Sequence, residues 1–189
     1  IGASVVMQAV VADLGLPLIV KPVTGGSALG VSKCTDPDSL PHALVTAFGY
    51  SDTVMIQQAV EGTELALTVI ERDGVPVALP PVEIVPVHGM YTYDARYTAG
   101  ATEFFVPARL DPETTQRVSD FAIMVHEEFA LRDISRTDVI IDSSGHIYFL
   151  EVNVAPGMTE TSLVPQALSA AGLDSGEVFE HLVQAAIRR

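Results

Sequence analysis

Residues 136 to 153, Arg136-Thr137-Asp138-Val139-Ile140-Ile141-Asp142-Ser143-Ser144-Gly145-His146-Ile147-Tyr148-Phe149-Leu150-Glu151-Val152-Asn153, decide the fold. β-formers flank a Ser-Ser-Gly turn on both sides, which is the pattern of a β-hairpin. A two-residue loop at Ser144-Gly145 and a four-residue loop at Ser143 to His146 give one register. Asp138 then lies opposite Glu151 and Arg136 opposite Asn153. A three-residue loop would shift that register and separate the pairs. Side chains alternate along a strand, so in the paired register all four share one face. Two facing carboxylates repel unless a positive charge sits between them. With an amide oxygen beside them they form a hard-oxygen site suited to magnesium, and an adjacent arginine can hold a phosphate or carboxylate. The competing reading is a polar strand face turned to solvent.

The chain has 189 residues, of which 48% are hydrophobic, enough for a packed core in one large or two small domains. No apolar run reaches the length of a membrane span. The start, Ile1-Gly2-Ala3, has neither a methionine nor a signal-like pattern, and is expected to be a trimmed or incomplete beginning. The single cysteine, Cys34, excludes an internal disulfide framework, fits a reducing compartment and is expected to be buried or half-buried. A net charge of −14 disfavours nucleic acid and anionic membrane surfaces as partners. Cations are scarce. The only lysines, Lys21 and Lys33, bracket the most glycine-rich stretch.

Outward from the hairpin, the pattern predicts a helix over residues 3–13, a strand over 17–22, a glycine loop (Thr24 to Gly30) and a strand at 31–33. A glycine loop joining two strands can fold over a nucleotide and offer N–H groups to phosphates, with Lys21 pointing the same way. It is neither a Walker A motif nor a dinucleotide fingerprint. A helix over 38–48, a strand at 54–58, a turn at 61–64 into a strand at 65–70, and extended chain over 75–87 follow. Residues 88–103 read as an irregular functional loop, rich in tyrosine. Asp111-Pro112-Glu113 starts a helix to about Ala130, with Val118, Phe121, Ala122, Val125 and Phe129 as its core face. His126 reads as surface or satisfied core. Helices are expected from Ser162 and over 175–188. The fold class is α+β, with residues 1–58 as one lobe and 59–189 as a second lobe on an antiparallel sheet.

Together these marks resemble the ATP-grasp superfamily, and within it the D-alanine–D-alanine ligases. The resemblance rests on Leu18-Ile19-Val20-Lys21-Pro22, Gly26-Ser27-Ala28-Leu29-Gly30-Val31, Gly62-Thr63-Glu64, Ala95-Arg96-Tyr97, Arg136-Thr137-Asp138 and Glu151-Val152-Asn153-Val154-Ala155-Pro156-Gly157-Met158-Thr159, followed by Ser162-Leu163-Val164-Pro165. It implies an ATP-grasp fold of two lobes with a nucleotide site between them. Residues 1–58 would be a central-lobe remnant with the phosphate loop, and 59–189 the C-terminal lobe with the metal site. The implied activity is ATP-dependent joining of two D-alanines through an acyl phosphate, in peptidoglycan precursor synthesis in the cytoplasm.

By similarity, Asp138, Glu151 and Asn153 would hold two magnesium ions, with manganese as an alternative. Lys21 would contact the α- and β-phosphates and Arg96 a phosphate. Gln57 and Gln58 would line the adenine and Glu64 would bind the ribose. Arg136 and a backbone N–H of Gly157 would stabilise the tetrahedral intermediate. Ser162 and Leu163 would meet the second D-alanine, and Ser27 and Tyr97 would belong to a hydrogen-bonded lid. Expected partners are small molecules, D-alanine and ATP, with a homodimer left open and neither nucleic acid nor membrane.

The chain departs from the family pattern in several places. Arg96 stands where the family usually has lysine. Gln57 and Gln58 replace a glutamate and a following polar residue. Thr24-Gly25 and Ala28 make the glycine loop floppier and remove one donor. The family's N-terminal domain does not appear in this chain. The alternatives are an ATP-grasp ligase for another amino acid or amine, or a nucleotide-binding module without catalysis.

Overall fold

The computed structural model describes residues 2–188. The chain divides into two compact units. One holds the residues up to Val60 together with Pro86–Thr102, and the other holds Glu61–Val85 and the residues from Glu103 onward.

In the first unit, α1 (Ala3–Leu14) stops at Gly15, whose φ of 74° closes the helix. Three antiparallel strands follow in the order β2-β1-β3: β1 (Leu18–Pro22), β2 (Ser32–Cys34) and β3 (Val54–Gln58). Alternation gives this sheet two unlike faces. Leu18, Val20 and Cys34 are buried and pack with Leu40, Ala43 and Ala47 of α2 (Leu40–Phe48), with Ile56 against them. Cys34 is a small core residue here. Ile19 lies opposite both Lys33 and Gln57, so these three and Lys21, two residues along, share the other face. Residues 88–103 are not wholly irregular: a short helix, α3 (Tyr93–Tyr97), is capped by Thr92, whose hydroxyl accepts from the Ala95 N–H.

The second unit is built on a six-stranded antiparallel sheet. β4 (Thr63–Arg72) lies beside β8 (Ile134–Ile141), which pairs with β9 (Ile147–Asn153). β6 (Val82–Pro86) and β7 (Thr102–Phe105) lie beyond β4, and β5 (Val75–Ala78) pairs with its far end. Leu65, Leu67, Val69, Val139 and Ile141 alternate onto one face, and α4 (Pro112–Glu128) covers them with Val118 and Ala122. Each such fully buried branched side chain contributes about 1.5–3 kcal/mol. The cap expected at Asp111 is present, its carboxylate accepting from the Thr114 N–H at 2.9 Å.

Phe129 is not core. The helix ends at Glu128, Ala130 turns left-handed with a φ of 50°, and Phe129 is 58% exposed, stacked on Phe149 of β9. His126 is buried, its Nδ1 2.8 Å from Ser135 Oγ. α5 (Leu163–Ala170) and α6 (Ser175–Ile187) complete the unit. Among the described residues no helix is long and apolar enough to cross a membrane.

Candidate active site

The hairpin β8–β9 brings its four polar residues together. Asp138 pairs with Glu151 and Arg136 with Asn153, as alternation predicts. The route to that register differs from both even-numbered loops considered from sequence. The connection is a three-residue turn, Ser143-Ser144-Gly145, with Gly145 at a φ of 81° and the Asp142 N–H donating to the His146 carbonyl. That is the usual chemistry of a three-residue hairpin loop. Left alone, it would set Asp138 opposite Leu150. A bulge intervenes: Val139 faces Phe149, the next pair is Asp138 with Glu151, and Leu150 is the extra residue.

The turn is locked by Asp142. Its Oδ1 accepts from the Ser144 hydroxyl at 2.6 Å and from the N–H groups of Ser144 and His146 at 2.8 and 3.0 Å. These bonds, the Ser144 hydroxyl foremost, lower its carboxyl from the ordinary 3.8 to about 2.

Two of the four residues on this face are shielded from solvent, while Glu151 is exposed. Asp138 is 5% exposed and Arg136 9%. A charge at that depth needs a partner. Arg136 Nε and Nη2 donate to the two oxygens of Asp138 at 2.7 and 2.8 Å. Asn153 Nδ2 lies 3.3 Å from Asp138 Oδ2 and 3.4 Å from Glu151 Oε1. One small polar group thus sits between the two carboxylates, where mutual repulsion makes a positive group most favourable. Two carboxylates and an amide, all hard donors on one face, fit a divalent cation such as magnesium. Among the described residues no cluster of three or more His, Cys, Asp or Glu is poised for a metal. A cation here would therefore take its remaining ligands from water or from a bound anion.

Other expected residues of this unit lie on β4 and after β9. Glu64 is half-buried on the same sheet face as Asp138, since it stands opposite Ile140, two residues along β8. Gly62 precedes it where no side chain fits: a Cβ there would overlap the Ile141 carbonyl oxygen. Gly157 is exposed, and a Cβ on it would lie 2.9 Å from Ser162 Oγ. The Ser162 hydroxyl is 2.8 Å from that of Thr159, holding the loop 157–162 closed ahead of α5. Leu163 is buried in the core.

The remaining expected residues belong to the first unit. Lys21 and Gln57 share the open face of its sheet. Gln58 points the other way, and its Nε2 donates to the Leu14 carbonyl at 2.7 Å, so its side chain is not on the face of Lys21 and Gln57. The glycine loop bends through Ser27 and Ala28 at φ of 53° and 57°, and Ser27 Oγ lies 3.0 Å from Tyr97 Oη. Arg96 stacks over the Tyr91 ring at 4.1 Å, with a buried Nε that has no hydrogen-bond partner. Sequence reasoning gave no role to Tyr91 as this support.

The chain matches the family described as D-ala D-ala ligase C-terminus over residues 2–184. It is 37% identical over 176 residues to a D-alanine–D-alanine ligase of Fervidobacterium nodosum, covering 93% of this chain and 55% of that relative. Among solved structures, the D-alanyl-alanine synthetase A of Vibrio cholerae aligns with a TM-score of 0.84 at 27% identity, covering 99% of this chain and 57% of that one. The VanG D-Ala:D-Ser ligase of Enterococcus faecalis aligns with a TM-score of 0.83 at 29% identity, covering 95% and 52%. The chain thus spans a little over half the length of the relatives it matches. By sequence along nearly its whole length and by its ATP-grasp fold, this chain belongs to the C-terminal family of the D-alanine–D-alanine ligases.

Proposed function

We propose that this chain is the catalytic C-terminal part of a cytoplasmic ATP-dependent ligase that joins two D-alanines for peptidoglycan precursor synthesis. The observation that carries the reading is the buried Arg136–Asp138 pair set against Glu151 and Asn153 on one strand face. A carboxylate is a poor electrophile, and its approach to a triphosphate is opposed by like charge. The chemistry needs charge neutralisation at the phosphates and donors at the acyl oxygen. Two magnesium ions held by Asp138, Glu151 and Asn153 would draw charge from the phosphate oxygens.

Lys21 and Arg96 hold phosphate oxygens. Gln57 accepts from the adenine amino group through its side-chain carbonyl, and Glu64 takes the ribose hydroxyls. The carboxylate of the first D-alanine attacks the γ-phosphate, giving an acyl phosphate and ADP. The amine of the second attacks the acyl carbon, and phosphate leaves. Arg136 and the Gly157 N–H donate to the oxygen that becomes negative in that step. Ser162 and the Leu163 backbone orient the second D-alanine, and the bond between Ser27 and Tyr97 holds the glycine loop as a lid.

The test is phosphate release by the full-length parent with ATP, magnesium and D-alanine, with the dipeptide identified by mass. D-alanine-dependent release of phosphate with formation of the dipeptide is expected. A parent that releases no phosphate in response to D-alanine would overturn the reading. The likeness to a D-Ala:D-Ser ligase favours a second reading in which the acceptor is another amino acid. Competition between D-alanine and D-serine as acceptors separates the two.

A further inference from the structure

One pairing in residues 88–103 has no part in the function proposed above. The guanidinium carbon of Arg96 lies over the Tyr91 ring, 4.1 Å from its centroid. Arg96 Nε is buried and has no hydrogen-bond partner. A buried donor without an acceptor is costly, and native proteins keep few of them. No bond at Nε fixes the turn of this side chain, whereas the ring limits it from one side. A guanidinium is planar, so a ring on its face leaves the edge, where its N–H groups lie, for oxygen ligands. An ammonium in the same place would be a point charge with no flat side to set.

The backbone that carries Arg96 is held by other groups. Thr92 caps α3 by accepting from the Ala95 N–H, and the Thr102 hydroxyl donates to the Ala95 carbonyl at 2.7 Å. Tyr93 lies against Tyr97, with 4.7 Å between ring centroids, and Tyr97 Oη is 3.0 Å from Ser27 Oγ in the glycine loop. The caps of α3 do not involve the Tyr91 ring, so its removal takes support from Arg96 and leaves those caps in place.

We propose that Tyr91 is a positioning residue for phosphate binding, its ring face setting the Arg96 guanidinium so that the N–H edge meets phosphate oxygens of the nucleotide. The inference rests on the nucleotide reading above and adds to it a residue that acts through Arg96. The rival explanation is that Tyr91 only packs the segment 88–103. Packing would act on every ligand alike and would not need Arg96.

The experiment is calorimetric binding of AMP-PNP with magnesium, and of adenosine, to the full-length parent and to Y91F, Y91W, Y91L, R96Q and the doubles of Y91W and Y91L with R96Q. Melting temperatures check that each variant folds. Loss of a cation–ring contact predicts about fivefold weaker AMP-PNP binding in Y91L. Y91F keeps most of the affinity, adenosine binding is unchanged throughout, and Y91L adds no loss beside R96Q. Equal AMP-PNP affinity in Y91L and the parent overturns the role of Tyr91 and leaves the nucleotide reading intact. A loss shared with adenosine, or one that persists beside R96Q, overturns it too, because the effect is then on the scaffold. Should Y91L fail to fold, Y91W decides: its stronger ring face tightens AMP-PNP binding, and only while Arg96 is present. Unchanged or weaker binding in Y91W, or a gain that persists beside R96Q, overturns the inference. An R96Q variant that binds AMP-PNP like the parent overturns the phosphate role of Arg96 and this inference, and leaves Lys21 and the nucleotide reading standing. A parent that binds neither ligand overturns the nucleotide reading itself, and this inference with it.

Discussion

Arg136 and Asp138, two residues apart on one strand, are joined by a bidentate ion pair of 2.7 and 2.8 Å in a nearly water-free position. The pair links stability to function, because removing either charge takes away the other's bidentate partner. Arg136→Ala is expected to cost about 3–5 kcal/mol, the usual penalty for breaking a buried ion pair, read by urea denaturation. In the parent it should also slow turnover far more than it weakens ATP binding. A large loss of ATP affinity with unchanged turnover would overturn the role given to Arg136.

Glu151 is exposed, and Asn153 Nδ2 approaches its Oε1 to 3.4 Å. Glu151→Gln should therefore leave the melting temperature within a few degrees while abolishing turnover of the parent. Near-normal turnover would sink the metal assignment.

Leu150 and Val152 sit on either side of Glu151, yet they should respond differently to deletion. Removing Leu150 removes the bulge, and the ladder from Ile141 then runs unbroken with the glutamate still opposite Asp138. Removing Val152 moves Asn153 onto the other face. The first variant should keep measurable turnover in the parent and the second should have none. Equal loss in both would show that the bulge's twist is needed as well as its count.

Gly62 packs its α-carbon against the backbone of β8 at Ile141. Gly62→Ala should destabilise the chain by more than about 3 kcal/mol, since the obstruction is backbone and cannot rotate away. Gly74, whose added Cβ meets nothing within 4 Å but whose φ is 77°, provides the contrast. Alanine there pays only for its left-handed backbone, about 1–2 kcal/mol. Chemical denaturation of both variants checks the order.

Glu83 is buried and bound to Arg109, whose guanidinium donates to both its oxygens and whose backbone N–H adds a third bond. The bond to the Arg109 side chain is the main cause that holds its carboxyl below the ordinary 4.5, against the opposing effect of burial. A lowered carboxyl favours the folded state when ionised. That stabilisation is complete above pH 4.5 and is lost as pH falls through the lower folded value. Glu83→Gln should lower stability at neutral pH and flatten its decline below pH 4.5. Asp142 follows the same sign lower down, with its turn contribution fading between pH 3.8 and about 2. Amide exchange at Ser144 and His146 should rise over that window.

Much of the candidate site was legible because alternation is a strong rule. Arg136, Asp138, Glu151 and Asn153 have even spacings on their strands, so a single register sufficed to group them. The turn that produces the register was not legible, because an odd loop with a bulge gives the same pairing as an even loop without one. Phe129 fits the helical spacing of the α4 core, but spacing does not say where the helix stops. The left-handed turn at Ala130, a residue with no preference for that conformation, left no signal. The partner of Gln58, the Leu14 carbonyl, lies 44 residues away and is a matter of tertiary packing. The grouping of Pro86–Thr102 with the first unit is likewise set by contacts distant in sequence.

The shared face of Lys21 and Lys33 has a practical side. They are the only side-chain amines in this chain, so a lysine-directed dye or cross-linker reports on the surroundings of the glycine loop. Amine coupling to a sensor chip would tether the chain by that face and turn it toward the matrix. On such a surface a test of the nucleotide reading would be biased against binding, and attachment through an added terminal tag is the sounder choice.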